Sequence, residues 1–202
     1  MRIIGVTGPS GAGKGAVSEH MMATHGFKVI NADKVYHDII SAPTECVQEL
    51  ADNFGSCILS ENGGIDRKAL SKLVFGEENK EKLLLLNKIT HKYVISEINK
   101  LLRNYSDNGV KICVIDAPLL IEAEIDKTCD FVISVIAEKE LRAKRIAARD
   151  GIDYESALLR INSQKPDSFY SEACDFLISN DLQLEELGLL VDKYLRYEGL
   201  IE

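Results

Sequence analysis

Arg2-Ile3-Ile4-Gly5-Val6-Thr7-Gly8-Pro9-Ser10-Gly11-Ala12-Gly13-Lys14-Gly15 begins apolar and ends in glycines around a single lysine. Ile3 to Val6 reads as a buried strand and Ala16 to Met22 has helical composition, so the glycines stand between a strand and a helix. Gly8, Pro9, Ser10, Gly11, Ala12, Gly13, Lys14 and Gly15 fit the pattern G-x-x-x-x-G-K in that setting. Backbone N–H groups of such a loop wrap a phosphate chain at a helix N-terminus, and Lys14 reaches the terminal phosphates. The ligand expected is a nucleoside triphosphate. One position departs from the pattern: where a Ser or Thr hydroxyl would hold Mg²⁺ the chain has Gly15, and Ala16 after it has no hydroxyl either.

Working outward, strand-like segments recur at Arg2 to Thr7, Lys28 to Asn31, Lys111 to Asp116, Phe131 to Ile136 and Phe176 to Ile178, with helical patterns between them. This alternation predicts an α/β fold, a parallel sheet covered by helices on both faces, with ligands beyond the carboxyl ends of its strands. About eighty residues separate the second strand from the third, too many for one crossover helix, so an inserted helical lobe is expected over roughly residues 34–109 of a single domain. Within it, Glu81 to Leu102 carries apolar Leu86, Ile89, Tyr93 and Leu101 as an amphipathic helix, ended by the turn chemistry of Asn104 to Gly109.

Bulk properties narrow the function. The 202 residues hold 24 Lys and Arg against 32 Asp and Glu, a net charge of −8 that argues against nucleic acid or anionic membrane as partner. Five scattered cysteines, odd in number and without C-x-x-C spacing, make poor disulfide or zinc frameworks and fit a reducing cytosol. No apolar run reaches spanning length and no signal-peptide core is present, so a cytoplasmic location is expected. Nothing in the chain speaks to its oligomeric state.

Several residues stand where the phosphate loop would use them. Asp33 follows the second strand, where a carboxylate could take the proton of an attacking hydroxyl or cap the helix starting near Lys34; the two roles are compatible. Asp116 ends the third strand as an acidic residue able to orient Mg²⁺ directly or through water, or to begin the turn before Pro118. Arg142, Arg145 and Arg149 share one helical face at i, i+3 and i+7, either a cationic lid over a transferring phosphoryl group, spanning about residues 139–164, or a solvated face near a helix C-terminus. His91 is an ordinary helical histidine or a substrate contact. His20, His25 and His37 form no metal-ligand spacing with one another.

Together these stretches resemble the dephospho-CoA kinase family over nearly the whole chain. The resemblance rests on Thr7 to Val17, Asn31-Ala32-Asp33, Phe54-Gly55, Asp66-Arg67, Leu70, Val74-Phe75, His91-Lys92, Asp116-Ala117-Pro118-Leu119-Leu120-Ile121-Glu122, Arg145 to Gly151, Arg160-Ile161-Asn162-Ser163-Gln164, Ala173-Cys174-Asp175 and Asn180. Three positions differ from the family pattern: Asn31 for an acidic residue, Lys92 for proline, and Gly15-Ala16 for Ser-Thr. The resemblance implies a phosphate-loop kinase fold and transfer of the ATP γ-phosphate to the ribose 3′-hydroxyl of dephospho-CoA. It implies ATP and Mg²⁺, with the loop from Gly8 to Ala16 and Arg145 on the nucleotide, and Lys14, Asp33, Arg142 and Arg149 as catalytic groups. Asp33, Arg67, His91, Pro118 and Leu119 would meet the acceptor, the inserted lobe receiving its pantetheine end, and Asp116 would hold the metal. The loop also resembles that of nucleoside monophosphate kinases, and the lost hydroxyl leaves open a nucleotide-binding module with little turnover.

Overall fold

A computed structural model describes residues 1–181 and 184–202. Five strands form one sheet in the order β2-β3-β1-β4-β5: β1 (Arg2–Thr7), β2 (Lys28–Asn31), β3 (Ile112–Asp116), β4 (Phe131–Ile136) and β5 (Phe176–Ser179). Every pairing is parallel, with Ile4 level with Val114 on one side and Phe131 on the other. The apolar strands form because both faces are covered: on one, α1 (Lys14–His25) and α9 (Leu184–Tyr197; intervening helices are numbered below) lie side by side and place Val17, Met21, Leu187, Val191 and Leu195 in one cluster with Ile4, Val6, Ile133 and Ile178, and on the other the Leu120 and Cys129 side chains crowd Gly5. From β1 the chain runs to β2 on one side, and after β3 it crosses to β4 on the other. That reversal puts the carboxyl end of central β1 where such sheets bind their ligands.

The chain divides into two compact units, Met1–Asn31 with Tyr105–Glu202, and Ala32–Asn104. The first contains the sheet, α1, α6 (Lys139–Asp150), α7 (Tyr154–Asn162), α8 (Asp167–Glu172) and α9. Here α6 and α7 make a small core of their own from Ala143, Ile146, Ala157 and Ile161. The second unit is helical. It holds α2 (Ala32–Ile40), α3 (Glu45–Phe54), α4 (Arg67–Val74) and most of α5 (Lys80–Asp107) around Ile40, Val47, Leu50, Ile58, Leu70, Val74, Leu86 and Ile89. Two of its helices, α3 and α4, start on side-chain caps: Thr44 accepts from the Val47 N–H at 3.2 Å, and Asp66 from Lys68 and Ala69 at 2.9 and 3.1 Å.

Helix α5 departs from its sequence-based description in two ways. It runs on to Asp107, because Asn104 and Ser106 tolerate helix and the stop is Gly109, left-handed at φ 75°, with Gly109 and Val110 N–H closing on Ser106 and Tyr105 carbonyls. Its buried stripe is Leu86, Ile89, Thr90, Val94, Ile98 and Leu102, and Tyr93 sits beside it. The Tyr93 hydroxyl is the reason: it donates to Glu49 at 2.6 Å, alongside Lys92 at 2.8 Å, which needs an edge position. Among the described residues no helix is long and apolar enough to cross a membrane.

Candidate active site

The loop from Gly8 to Gly13 leaves the end of β1, and its shape is dictated by close neighbours. Gly8 has φ 139°, and a Cβ there would collide with the Val135 carbonyl of β4. Gly13, at φ 97°, is the residue before α1, and a Cβ on it would land on the Asn180 amide. Only glycine fits both places. The first amides of α1 then stand at the positive end of the helix dipole as anion-binding donors.

The loop carbonyls are drawn toward partners in the protein. Arg142 Nε donates to Ser10 O at 3.0 Å, Arg145 Nη1 reaches Gly11 O at 3.4 Å, and Asn180 Nδ2 donates to Ala12 O at 2.7 Å. Gln164 Oε1 accepts from the Ser10 N–H at 3.2 Å and from Arg142 Nη2 at 2.9 Å, so one amide oxygen ties loop and guanidinium together. Lys14 Nζ lies on the carbonyls of Gly8 and Pro9 at 2.8 and 3.2 Å, folded back over the loop it follows.

The three arginines do not share an open face. Arg142 is 4% exposed, because the first turn of α6 lies directly against the loop, its backbone in contact with Gly11. Its remaining arm meets Asp167 at 3.1 Å, and burial lowers the guanidinium's pKa while Asp167 opposes that. Arg145 is half-buried. Arg149, at the far end of α6, is exposed and forks onto Asp150 at 2.7 and 3.0 Å, where Arg160 also binds at 2.7 Å. The Arg149 contact holds the Asp150 carboxyl below the usual range, with Arg160 adding to it. The expected single cationic face is therefore corrected to a gradient running from buried brace to exposed ion pair.

Asp116 is buried at the end of β3, level with Val6 on β1 and Asn31 on β2. Pro118 follows it, and its carbonyl accepts from the Thr7 hydroxyl at 3.3 Å; Leu119 is exposed. Thus the sheet unit gathers the loop, Lys14, Arg142, Arg145, Asp116 and Pro118 at the carboxyl end of β1. Gly15 is helical, and a Cβ there meets nothing within 4 Å, so its missing side chain is not imposed by space.

The helical unit carries the remaining candidates. Asp33 is exposed inside the first turn of α2, which begins at Ala32 directly after β2, so the carboxylate lies past the cap position. A carboxylate there is stabilised by the helix dipole. Arg67 is the exposed first residue of α4, near enough to oppose the burial that raises the Tyr36 pKa. His91 is half-buried in α5, and burial lowers its pKa. The same unit has a groove of about 480 Å³ lined by Ile39, Cys46, Lys92, Tyr93 and Lys100 among others, and His91 is not part of that lining.

Gln164 and Asn180 had no assigned role in the sequence reading, although both stand in the motifs that carry the resemblance. Their signal was a polar residue at a helix end and at a strand end, which spacing alone does not connect to a loop more than 150 residues away.

Known proteins similar in sequence to this chain share one family. The family model described as dephospho-CoA kinase matches residues 2–186. A dephospho-CoA kinase of Carboxydothermus hydrogenoformans is 39% identical over 183 residues, covering 91% of this chain and 87% of that relative. Another, of Fusobacterium nucleatum, is 41% identical over 192 residues, covering 95% and 96%. The solved structure of a dephospho-CoA kinase from Campylobacter jejuni superposes with a TM-score of 0.63 at 28% identity, covering 97% of this chain and 96% of that one.

Proposed function

The chain belongs to the dephospho-CoA kinase family and is an ATP-dependent kinase, and from that premise we propose how its own residues divide the work. The reaction passes the γ-phosphate of ATP to the ribose 3′-hydroxyl of dephospho-CoA, the last step of coenzyme A synthesis. The observation that carries the reading is the braced glycine loop at the end of β1, with its lysine poised on the loop carbonyls.

The loop and the first amides of α1 hold the triphosphate. Lys14 exchanges its two carbonyl contacts for phosphate oxygens, which carry more charge, and stabilises the transferring group. Arg145, half-buried beside Gly11, neutralises the nucleotide's phosphates, while Arg149 leaves Asp150 to close over them. Arg142 contributes indirectly, by holding the loop's shape. Asp33 accepts the proton of the acceptor hydroxyl as the in-line transfer proceeds. The acceptor contacts are Arg67 and His91, on the unit Ala32–Asn104, for its pantetheine end, and Pro118 and Leu119 on the sheet unit.

Mg²⁺ suits the donor set. It takes one or two carboxylates and keeps its waters and phosphate oxygens. Asp116 supplies a buried carboxylate at the right strand end, and Gly15-Ala16 supply none, so Asp116 would hold the ion through water. When bound, the metal offsets charge on the phosphate oxygens. The setting proposed for this chemistry is the cytoplasm.

Purified protein with ATP and Mg²⁺ should phosphorylate dephospho-CoA and leave AMP and CMP unchanged. Turnover of CMP or AMP above dephospho-CoA would assign the loop to a nucleoside monophosphate kinase. ATP binding without product from any of the three would make the chain a binding module.

A further inference from the structure

Away from the nucleotide loop, at the other end of α1, two histidines and an aspartate converge. His20 and His25 come from α1 and Asp192 from α9, and both Nε2 atoms point at one carboxylate oxygen, at 2.7 and 2.8 Å from Asp192 Oδ1. The ligand atoms lie within 4.8 Å of one another, the one such His/Cys/Asp/Glu group among the described residues. All three side chains are largely covered, at 24%, 15% and 14% exposure. The His20 ring is seated on the backbone of α9: a Cβ on Gly188 would come within 2.8 Å of its Cε1. The rings of His20 and His25 meet edge to face with centroids 5.7 Å apart.

We propose that His20, His25 and Asp192 form a binding site for a divalent transition-metal ion of the zinc class. Two imidazole nitrogens and one carboxylate oxygen are a borderline donor set that zinc accepts, with water in a fourth position. Tetrahedral bonds of about 2.0–2.1 Å put ligand atoms roughly 3.3 Å apart, so the present hydrogen-bond spacings need to open by only about half an ångström. A partner for one of the rings is also in place. Thr24 Oγ1 lies 3.4 Å from His20 Nδ1, and its oxygen accepts a hydrogen bond from Nδ1–H once Nε2 turns its lone pair to a metal. The ion would tie the C-terminal end of α1, the helix that starts at the phosphate loop, to α9, and so stiffen the sheet unit from the side opposite its substrate.

The test uses the full chain, stripped with chelator and free of nucleotide, titrated with Zn²⁺ in a calorimeter and with Co²⁺ in a spectrophotometer. One equivalent should bind, Co²⁺ should show the intense visible bands of tetrahedral coordination, and a hundredfold excess of Zn²⁺ over Kd should raise the melting temperature by about 5 °C or more. His25→Gln and Asp192→Asn keep polar groups of similar size but remove a ligand, and each should weaken binding at least about 100-fold. Thr24→Val leaves the ligands alone and should weaken it about 10-fold. Absence of binding to the parent chain overturns the proposal. So does binding that His25→Gln and Thr24→Val leave unchanged, which would put the ion elsewhere, for instance on cysteine.

Discussion

Replacing Arg142 by alanine separates a brace from a catalytic cation. The guanidinium makes two charge-assisted hydrogen bonds, one to the loop at Ser10 O, 3.0 Å, and one at 2.9 Å to Gln164 Oε1, which itself accepts from the Ser10 N–H. At about 1.5–3 kcal/mol each these total roughly 3–6 kcal/mol. The Asp167 contact adds little, since Asp167 is 48% exposed and rehydrates when the arginine leaves. Relief of burying a cation, and water entering the space, give back part of the sum, leaving a loss of about 3 kcal/mol. For a chain of this length that lowers the melting temperature by roughly 6–12 °C. Arg142→Lys should recover less than half, because one ammonium cannot reach Ser10, Gln164 and Asp167 together. Differential scanning calorimetry gives the melting shift, and steady-state kinetics should show a raised KM for ATP accompanying it. An Arg142→Ala protein that melts within about 2 °C of the parent, yet loses 100-fold or more in kcat at saturating ATP, would refute the brace and return Arg142 to the transferring phosphoryl group.

Other perturbations follow from the same site. Lys14→Ala should nearly abolish transfer while leaving the melting temperature close to the parent's, and activity within about twofold of the parent would remove Lys14 from its role. Gly15→Ser enters open space on a helical residue, so stability should rise by about 0.5–1 kcal/mol in urea titrations and less Mg²⁺ should be needed for half-maximal rate; a loss of stability would mean that the space is not free. Asp33→Asn keeps the side chain's size but cannot take a proton, so the single-turnover rate should fall about 10²-fold or more with ATP affinity retained, and a near-parent rate would send the search for a base elsewhere. Burial pushes the Cys113 thiol up to about 11 and that of Cys129, with Asp126 and Asp130 adding to it, to about 12. Native alkylation at pH 8 should therefore mark exposed Cys57 and spare both. Because the raised values favour the protonated thiols, their stabilising share is complete below about pH 9 and is lost as pH climbs toward 12; Cys129 labelled as fast as Cys57 would contradict this burial.

The strand-loop-helix opening was legible because its signal is local: an apolar run, glycines at positions that admit no Cβ, and a helix on the far side. The alternation behind the parallel sheet was legible for a similar reason, each strand being announced by its own few residues. What escaped was long-range. Periodicity put Arg142 on a face with Arg145 and Arg149, but which part of that face is buried depends on where α6 docks, and the docking surface is a loop 132 residues earlier. Asp33 read equally as base or cap; the start of α2 at Ala32 removes it from the cap position and leaves the chemical role to experiment. The His20, His25 and Asp192 cluster was invisible because its third member lies 172 residues from the first.

The bond from Asn180 to the Ala12 carbonyl also bears on how the protein is made. Every residue of the nucleotide motif lies within residues 8–16, but the groups that hold it in shape, Arg142, Gln164 and Asn180, are made more than a hundred residues later. A nascent chain has its signature early and its binding site late. Until translation passes residue 180, the glycines that make the finished loop possible leave it with high backbone entropy, so ordering it around a phosphate costs the growing polypeptide more than it costs the finished protein.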